Sequence, residues 1–235
     1  MTHICAENVS IEFPIYSGGA QRSFKKNLIG AITGGRIGSD ASKRLSVKAL
    51  DKISFHFNAG DRIGLIGSNG SGKSTMLQML SGVYEPTEGS LTVEGKIVPM
   101  LNLTLGLDME FSGLENIYLR AQILGLSRKQ IEDRLEQIIE FSGIGNFINL
   151  PMRTYSSGMV MRLMFSIVTS VDSDIILMDE WMSVGDSDFA LQAEKRLNQM
   201  MSDAKIVVIA SHDLGMLKKN CNRLIKLEHG RIVGQ

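Results

Sequence analysis

The stretch that decides the fold of this 235-residue chain is Gly67-Ser68-Asn69-Gly70-Ser71-Gly72-Lys73-Ser74-Thr75. It fits the pattern G-x-x-x-x-G-K-[ST], a phosphate-binding loop or P-loop. The apolar run 63–66 before it predicts a buried parallel strand, and the apolar positions after it predict a helix over 74–80. Strand, glycine-rich loop and helix are the arrangement that this motif requires. A glycine-rich turn without a ligand would leave the adjacent lysine and hydroxyl groups without a purpose.

The polar groups of this loop have separate predicted tasks. Glycine residues let the backbone curl until several N–H groups point at one phosphate, and the dipole of the following helix adds positive charge. Lys73 is expected to reach the β- and γ-phosphates, and the Ser74 hydroxyl is expected to bind Mg²⁺. The residues predicted to contact the nucleotide here are Gly67, Ser68, Asn69, Gly70, Ser71, Gly72, Lys73, Ser74 and Thr75.

A second motif is the apolar run 174–180, which predicts a strand that ends in two carboxylates. In a parallel sheet the functional groups lie at the carboxyl ends of the strands. We expect Asp179 to hold Mg²⁺, directly or through water, and Glu180 to face an attacking water molecule. The alternative is a core strand that happens to enter an acidic loop, but the P-loop upstream disfavours it.

Two more stretches have weaker signals when each is taken alone. The run Thr154-Tyr155-Ser156-Ser157-Gly158-Met159 opens a segment with helical apolar spacing, and the run 206–213 predicts a buried strand that leads into His212. Serine and glycine are ordinary residues at the start of a helix, and a lone histidine is usually structural. The order of the four motifs along the chain therefore carries more information than either stretch.

This ordered set resembles the ATP-binding subunits of ABC transporters. The signature loop of that family is L-S-G-G-Q, and here Ser156 and Gly158 match it whereas Tyr155, Ser157 and Met159 depart from it. The resemblance implies an α/β fold with a P-loop NTPase (RecA-like) core, an inserted helical subdomain and an antiparallel β subdomain. Sequence pattern divides the chain into a core at 1–101 and 174–235, a helical subdomain at about 102–173 and a basic insertion at 17–48.

The resemblance also implies the chemistry and the assembly. A homodimer would enclose two ATP molecules, each lying on one P-loop and under Ser156, Ser157 and Gly158 of the other protomer. The cofactors implied are ATP and Mg²⁺, and the catalytic residues implied are Glu180, His212 and Lys73. The run 183–186 resembles the D-loop, which touches the partner protomer. The family places a glutamine near residue 102, where this chain offers Asn102 as a magnesium ligand.

Periodicity and turn residues predict the other elements. Helices are expected on both sides of Gly125–Ser127 within 114–141, and at 188–201 and 214–220. Strands are expected at 4–13, 45–57, 90–94, 96–101 and near 223–228.

The insertion between the first two strands is rich in glycine and in basic residues. Its single acid is Asp40, and its basic residues are Arg22, Lys25, Lys26, Arg36, Lys43, Arg44 and Lys48. Two interpretations stay open, a flexible solvated excursion and a loop beside anionic lipid, where each basic residue contributes ~1 kcal/mol. No aromatic residue precedes Ala49 at the position where the family stacks a ring on adenine, so Tyr16 is the candidate and Phe13 is second.

Composition bears on the partners. Twenty-five basic and 25 acidic residues cancel, so bulk charge gives no argument for a nucleic acid partner. Cys5 and Cys221 are remote in sequence, and we expect them to be reduced thiols in a cytosolic protein. No apolar run approaches the ~18 residues of a membrane span. We therefore expect a separate integral-membrane permease and a peripheral position at the cytoplasmic face of the inner membrane.

Shorter motifs narrow the resemblance to one branch. The segment 13–16, the basic insertion and the run Glu110-Phe111-Ser112-Gly113-Leu114-Glu115-Asn116 resemble bacterial exporters of O-antigen, capsule or teichoic acid that lack a carbohydrate-binding extension. Lipid-linked polysaccharide is the implied substrate. Two alternatives stay open: a soluble ABC ATPase of DNA repair, chromosome maintenance or translation, and the ATPase of another importer or exporter.

Overall fold

The computed structural model divides the chain into two compact units. The first unit comprises Met1–Gly95 and Ile206–Gln235, and the second comprises Lys96–Lys205. The sequence-based division into core, helical subdomain and insertion draws its boundaries elsewhere and stays a prediction. The residues that the structure describes are 1–15, 37–39, 45–180 and 187–234.

The first unit contains an antiparallel sheet, as the family resemblance implied. Its strands are β1 (His3–Ile15), β2 (Ile37–Ser39), β3 (Leu45–Asn58) and β5 (Glu88–Glu94), in the order β2-β3-β1-β5. Alternation of buried and exposed residues along β3 turns Phe55 and Phe57 to one side, where their rings stack with centroids 4.5 Å apart. Lys48 was assigned to the insertion, but the structure places it within β3.

The same unit holds the parallel strands that carry the P-loop. Strand β4 runs parallel to β8 on one side and to β9 on the other, and β10 pairs antiparallel with β9. Every residue of β8 is buried, as expected for a strand covered on both faces. The sequence did not predict β10. The elements are β4 (Arg62–Ile66), α1 (Lys73–Leu80), β8 (Ile206–Ala210), α7 (Leu214–Asn220), β9 (Arg223–Glu228) and β10 (Arg231–Gly234).

The second unit combines a parallel strand pair with helices. Strands β6 (Ile97–Met100) and β7 (Ile175–Asp179) are paired in parallel. Three phenylalanine rings from three helices, Phe141, Phe165 and Phe189, pack together with centroids 5.4 to 6.3 Å apart. The helices are α2 (Gly113–Ile123), α3 (Arg128–Glu132), α4 (Leu135–Ser142), α5 (Ser157–Val168) and α6 (Ser187–Asp203), with 3-10 turns at Gly145–Asn149 and Met152–Thr154.

One helix prediction was wrong in its extent. The sequence predicted a continuous helix after Ser127, whereas the structure has two short ones, α3 and α4. The Arg134 N–H donates to the Ile131 carbonyl, one residue nearer than an α-helix would use, and this tight turn ends α3. None of the helices in the part of the chain that the structure describes has the length and apolar character needed to cross a membrane.

Candidate nucleotide site

The P-loop connects β4 to α1 through backbone that only glycine adopts readily. Gly72 caps α1 with φ of +114°, and its carbonyl accepts the Met76 N–H at 2.8 Å. A Cβ atom on Gly72 would lie 2.9 Å from the Ala49 carbonyl oxygen, so a side chain there would push β3 away. The loop is thus packed tightly against β3 on the side of Gly72.

Lys73 is already placed over the loop that it is predicted to serve. Its Nζ donates to the carbonyls of Gly67 at 2.7 Å and Ser68 at 3.2 Å. Because an ammonium group has three N–H donors, one remains for a phosphate oxygen. Ser74 follows in the first turn of α1 and is exposed, so its hydroxyl is accessible to an ion.

His212 lies at the same edge of the parallel strands as the P-loop. Leu65 of β4 is the register partner of Ala210 of β8, and each motif begins two residues beyond its strand partner. The residues on both sides of His212 are held: the Ser211 N–H donates to the Leu65 carbonyl at 3.3 Å, and the Asp213 carboxylate caps α7. His212 itself is exposed between these two anchors.

The acidic pair and Asn102 share an edge of the second unit. Met100 of β6 is the register partner of Met178 of β7, so Asn102 and the pair Asp179–Glu180 lie at the carboxyl ends of neighbouring parallel strands. Asp179 is half-buried and Glu180 is exposed. Glu180 has φ of +67°, a left-handed conformation that is uncommon for a glutamate and that occurs often at functional sites.

The oxygen donors of these residues differ in how well they fit Mg²⁺. An accessible serine hydroxyl at Ser74 and a carboxylate at Asp179 are hard oxygen ligands of the kind that Mg²⁺ prefers. The Asn102 Oδ1 already accepts two hydrogen bonds, from Thr104 N–H at 3.2 Å and Thr104 Oγ1–H at 2.9 Å. Asn102 is therefore the weakest of the three predicted ligands.

The signature segment forms the start of α5, as predicted. The Ser156 hydroxyl accepts the Met159 N–H at 3.2 Å, so Ser156 is the N-cap residue. Helix geometry leaves the first N–H groups of α5, at Ser157 and Gly158, without intrahelical partners. Tyr155 has an anchoring contact: its hydroxyl donates to the Phe147 carbonyl at 2.6 Å, and burial raises the pKa of Tyr155.

The structure thus groups the predicted residues into sets. The P-loop and His212 share one edge of the first unit, whereas Asn102, Asp179 and Glu180 share an edge of the second unit, which also contains the signature segment. Tyr16 and the D-loop run 183–186 lie outside the described residues. The ring of Phe13 packs edge-on against Tyr84, with centroids 5.0 Å apart. The roles of all these residues stay predictions.

Comparison with known proteins decides the family. The model of a family described as "ABC transporter" matches residues 50–183. The chain belongs to the ABC transporter family. Two solved structures have the same fold, an ATP-binding subunit of an ABC transporter and a dimeric ATP-binding cassette bound to ADP and Pi. The first has a TM-score of 0.70 at 21% identity, and the match covers 99% of this chain and 89% of that one. The second has a TM-score of 0.68 at 20% identity, and the match covers 98% of this chain and 97% of that one. The predicted fold class and ATPase family are confirmed.

Three sequence relatives of this ABC ATPase are named for export systems. The O-antigen export system ATP-binding protein RfbE of Yersinia enterocolitica is 44% identical over 99% of this chain and 97% of its own length. RfbB of Myxococcus xanthus, with the same description, is 39% identical over 91% of this chain and 48% of its own. The teichoic acids export protein TagH of Listeria innocua is 40% identical over 82% and 57%. The chain therefore spans nearly all of the first relative and about half of the other two.

The sequence did not predict one cluster of interacting residues that contacts the P-loop. The turn between β9 and β10 contacts the P-loop at Ser71, and its Arg231 side chain binds Asp51 of β3. The partners Asp51 and Arg231 are 180 residues apart in the chain, so no local pattern reveals the contact. The only local signal is the pair His229-Gly230, which favours a turn.

Proposed function

We propose that this ABC ATPase hydrolyses ATP to drive the export of lipid-linked polysaccharide, such as O-antigen, through a separate permease. The observation that carries the proposal is the similarity to the Yersinia O-antigen export protein over 99% of this chain and 97% of that one. The teichoic acids export protein of Listeria innocua among the relatives also supports export as the function.

In the proposed mechanism, each predicted residue has its own role in the transfer of the phosphoryl group from ATP to water. Lys73 and the P-loop N–H groups bind the phosphates, Glu180 accepts a proton from the attacking water, and His212 positions that water. Ser74 and Asp179 would hold Mg²⁺, which supplies positive charge to the phosphate oxygens when bound. The exposed carboxylate of Glu180 is accessible to water, as this role requires.

The proposed assembly is a homodimer. The N–H groups at the start of α5 have no intrahelical acceptors, and such a helix end favours an anion. We assign them to the γ-phosphate of the ATP on the other protomer, where they stabilise the charge that develops during transfer. ATP binding then favours the closed dimer and hydrolysis favours the open one, which is a population shift driven by the ligand.

The surface that we assign to the permease is an apolar patch of the second unit. Two loops lie side by side, because the N–H groups of Met152 and Arg153 donate to the carbonyls of Phe111 and Met109, both at 2.9 Å. Exposed apolar side chains that cluster on a surface mark interaction sites. The patch, which we call the two-loop patch, consists of Met109, Phe111, Phe147 and Leu150, exposed by 42% to 48%.

This docking gives the protein its proposed location, peripheral at the cytoplasmic face of the inner membrane. The basic residues of the insertion lie largely outside the described residues, so their proposed proximity to anionic lipid rests on composition alone. The balanced net charge agrees with a function that involves no nucleic acid.

Co-purification tests the docking part of the proposal. A tagged chain should retain a multi-span membrane protein from detergent-solubilised membranes of the native host. Phe111→Ser with Leu150→Ser should lower that yield by about tenfold or more, the scale of losing two anchoring side chains at an interface. ATPase activity of the isolated chain should stay unchanged, because neither residue belongs to the nucleotide motifs.

The matched control is Val83→Ser, which changes an apolar residue of the first unit exposed by 61%. It should leave the yield of membrane protein as in the unmodified chain. Recovery of ribosomes or nucleic acid in place of a membrane protein would reject transport. Surface polysaccharide that persists in cells producing only the Lys73→Ala chain would reject the substrate class while leaving the ATPase assignment intact.

A further inference from the structure

The turn between β9 and β10 is hydrogen-bonded into the P-loop. The Gly230 N–H donates to the Ser71 carbonyl at 2.8 Å, and the Gly230 carbonyl accepts the Asp51 N–H at 2.9 Å. Gly230 is therefore a bridge from the backbone of β3 to the backbone of the P-loop. All three residues belong to the first unit.

The bridge admits only glycine at its centre. Gly230 is buried and has φ of +79°, and a Cβ atom added to it would lie 2.6 Å from the Ala49 carbonyl oxygen. A Cβ atom on Gly72 would approach the same carbonyl oxygen. The turn, the P-loop and β3 thus meet backbone to backbone at the Ala49 carbonyl.

The bridge also fixes the direction of a P-loop donor. A trans peptide group is planar, so its C=O and its N–H point in opposite directions. Because the Ser71 carbonyl points at Gly230, the N–H of Gly72 in the same peptide group points away from the turn. This N–H forms no hydrogen bond with any residue that the structure describes, so it remains available to a phosphate oxygen.

An ion pair holds the turn against β3. The Asp51 Oδ2 accepts two hydrogen bonds from Arg231, from Nε at 2.8 Å and from Nη2 at 2.6 Å. The Asp51 side chain is only 15% exposed, and the arginine lowers the pKa of its carboxyl group. Lys48 continues the chain of charges, with its Nζ 3.6 Å from Asp51 Oδ1 and 3.0 Å from Glu12 Oε1.

We propose that Asp51 and Arg231 are positioning residues for ATP: their ion pair fixes the Gly230 turn, which orients the Gly72 N–H toward the phosphates. The inference rests on the proposed phosphate-binding role of the P-loop. Neither side chain needs to touch the nucleotide, because each acts through the backbone of Gly230. The pair should therefore influence how tightly ATP binds and should leave the hydrolysis step alone.

The test compares Asp51→Asn, Arg231→Gln and the double variant. Each should raise the dissociation constant and the KM for MgATP about fivefold, whereas kcat should stay within about twofold, since lost ground-state binding raises KM alone. The ATP dissociation constant of the double variant should not exceed that of the single variant that binds ATP less tightly. The reason is that the two side chains act as one unit. Arg231 is 70% exposed, so Arg231→Gln should fold even if Asp51→Asn does not.

The matched control is Arg128→Gln, which breaks another arginine–carboxylate pair, Arg128 with Glu132 at 3.0 Å on α3. It should leave the ATP dissociation constant unchanged. Amide exchange measured by NMR gives a direct readout, because the Gly230 N–H should exchange about fivefold faster in Arg231→Gln, in step with the loss of affinity.

Unchanged ATP affinity and unchanged Gly230 exchange in Arg231→Gln would overturn the inference. Lys73→Ala separates this failure from a failure of the nucleotide site itself. If Lys73→Ala weakens ATP binding while Arg231→Gln does not, only the positioning role is wrong. If neither variant changes ATP affinity, the P-loop assignment fails and the positioning role fails with it.

Discussion

The backbone conformation of Glu180 differs from that of the strand before it. It follows a fully regular strand, yet its φ of +67° is left-handed. A non-glycine residue in this region carries strain of about 1 kcal/mol or more, which the surrounding structure has to hold in place. The strain turns the chain sharply at the end of β7, and it agrees with a residue placed for chemistry.

A glutamine at this position separates chemistry from binding. Glu180→Gln keeps the shape of the side chain but removes the carboxylate that accepts a proton. We expect kcat for ATP hydrolysis to fall by ~10²-fold or more with ATP affinity retained, as for the loss of a general base. Lys73→Ala should show the opposite pattern, with weakened nucleotide binding. Steady-state hydrolysis and equilibrium ATP binding measure the two effects.

The control for this substitution is Glu140→Gln, which changes an exposed glutamate on α4 in the same way. It should behave as the unmodified protein in both measurements. Near-normal turnover in Glu180→Gln would remove the carboxylate from the mechanism, and unchanged ATP affinity in Lys73→Ala would count against the P-loop assignment.

At the scale of elements, the Asp174 side chain connects the start of β7 to the backbone of Lys96 and to the side chain of Lys205. Its carboxylate accepts the Lys96 N–H at 2.9 Å and pairs with the Lys205 ammonium at 2.8 Å. The lysine and the backbone N–H both lower the pKa of Asp174 below its usual range. The folded state therefore holds this proton less tightly than the unfolded state does.

The stability that Asp174 contributes should depend on pH in a definite direction. Because its folded pKa is lowered, the contribution is present above the unfolded pKa of about 3.9 and is lost as the pH falls through the folded pKa. Asp174→Asn should lower the free energy of unfolding at pH 7 by about 1 kcal/mol, discounted for partial exposure. The deficit should shrink toward pH 3.

Urea unfolding at the two pH values measures this difference. Asp133→Asn, at an exposed position after α3, is the control and should show no deficit at either pH. A deficit that is the same at pH 7 and pH 3 would mean that the carboxylate charge of Asp174 contributes nothing.

Elements that depend on local pattern could be predicted from the sequence, and elements that depend on remote partners could not. Helix α7 was predicted at its observed bounds, and the structure shows that the Asp213 carboxylate caps its start. The P-loop, β7 and the start of α5 were also placed correctly. Strand β10 was missed because a four-residue strand is defined by pairing with β9 and has little periodicity of its own.

The residues of the candidate site also divide into those that local sequence reveals and those that depend on partners elsewhere in the chain. Residue types and their order identified Lys73, Asp179, Glu180 and His212 as candidates, since each follows a strand or glycine loop that sequence reveals. The task of Tyr155 was hidden, because its partner is a backbone carbonyl of Phe147, and carbonyls carry no sequence signal. The Asp51–Arg231 pair was hidden because 180 residues separate its members.

At the scale of the whole molecule, the proposed dimer predicts that two inactive chains can complement each other. In a Lys73→Ala/Gly158→Asp heterodimer, one composite site has an intact P-loop and an intact signature loop, and the other is doubly damaged. Each homodimer should lose turnover by ~10²-fold or more, the scale of losing transition-state stabilisation. Mixing the two chains should restore measurable hydrolysis.

Gly158→Asp suits this experiment because its fold should be preserved. The nearest atom to a Cβ on Gly158 is the Ser156 hydroxyl oxygen, 3.8 Å away, and an acidic side chain near the start of α5 is favourable for the helix. Hydrolysis rates of mixed and unmixed chains make the comparison. Two chains that stay inactive when mixed, although they form heterodimers, would contradict a shared site.

The contact between Gly230 and Ser71 has a consequence for synthesis on the ribosome. Ser71 of the P-loop is translated well before Gly230 of the turn that fixes its peptide groups. Domains generally fold as units during synthesis, so a nascent chain that has not yet reached Gly230 should have a P-loop without tight affinity for ATP. Cellular ATP would then select chains that have been translated beyond Gly230, and tight nucleotide binding would report that the turn has joined the P-loop.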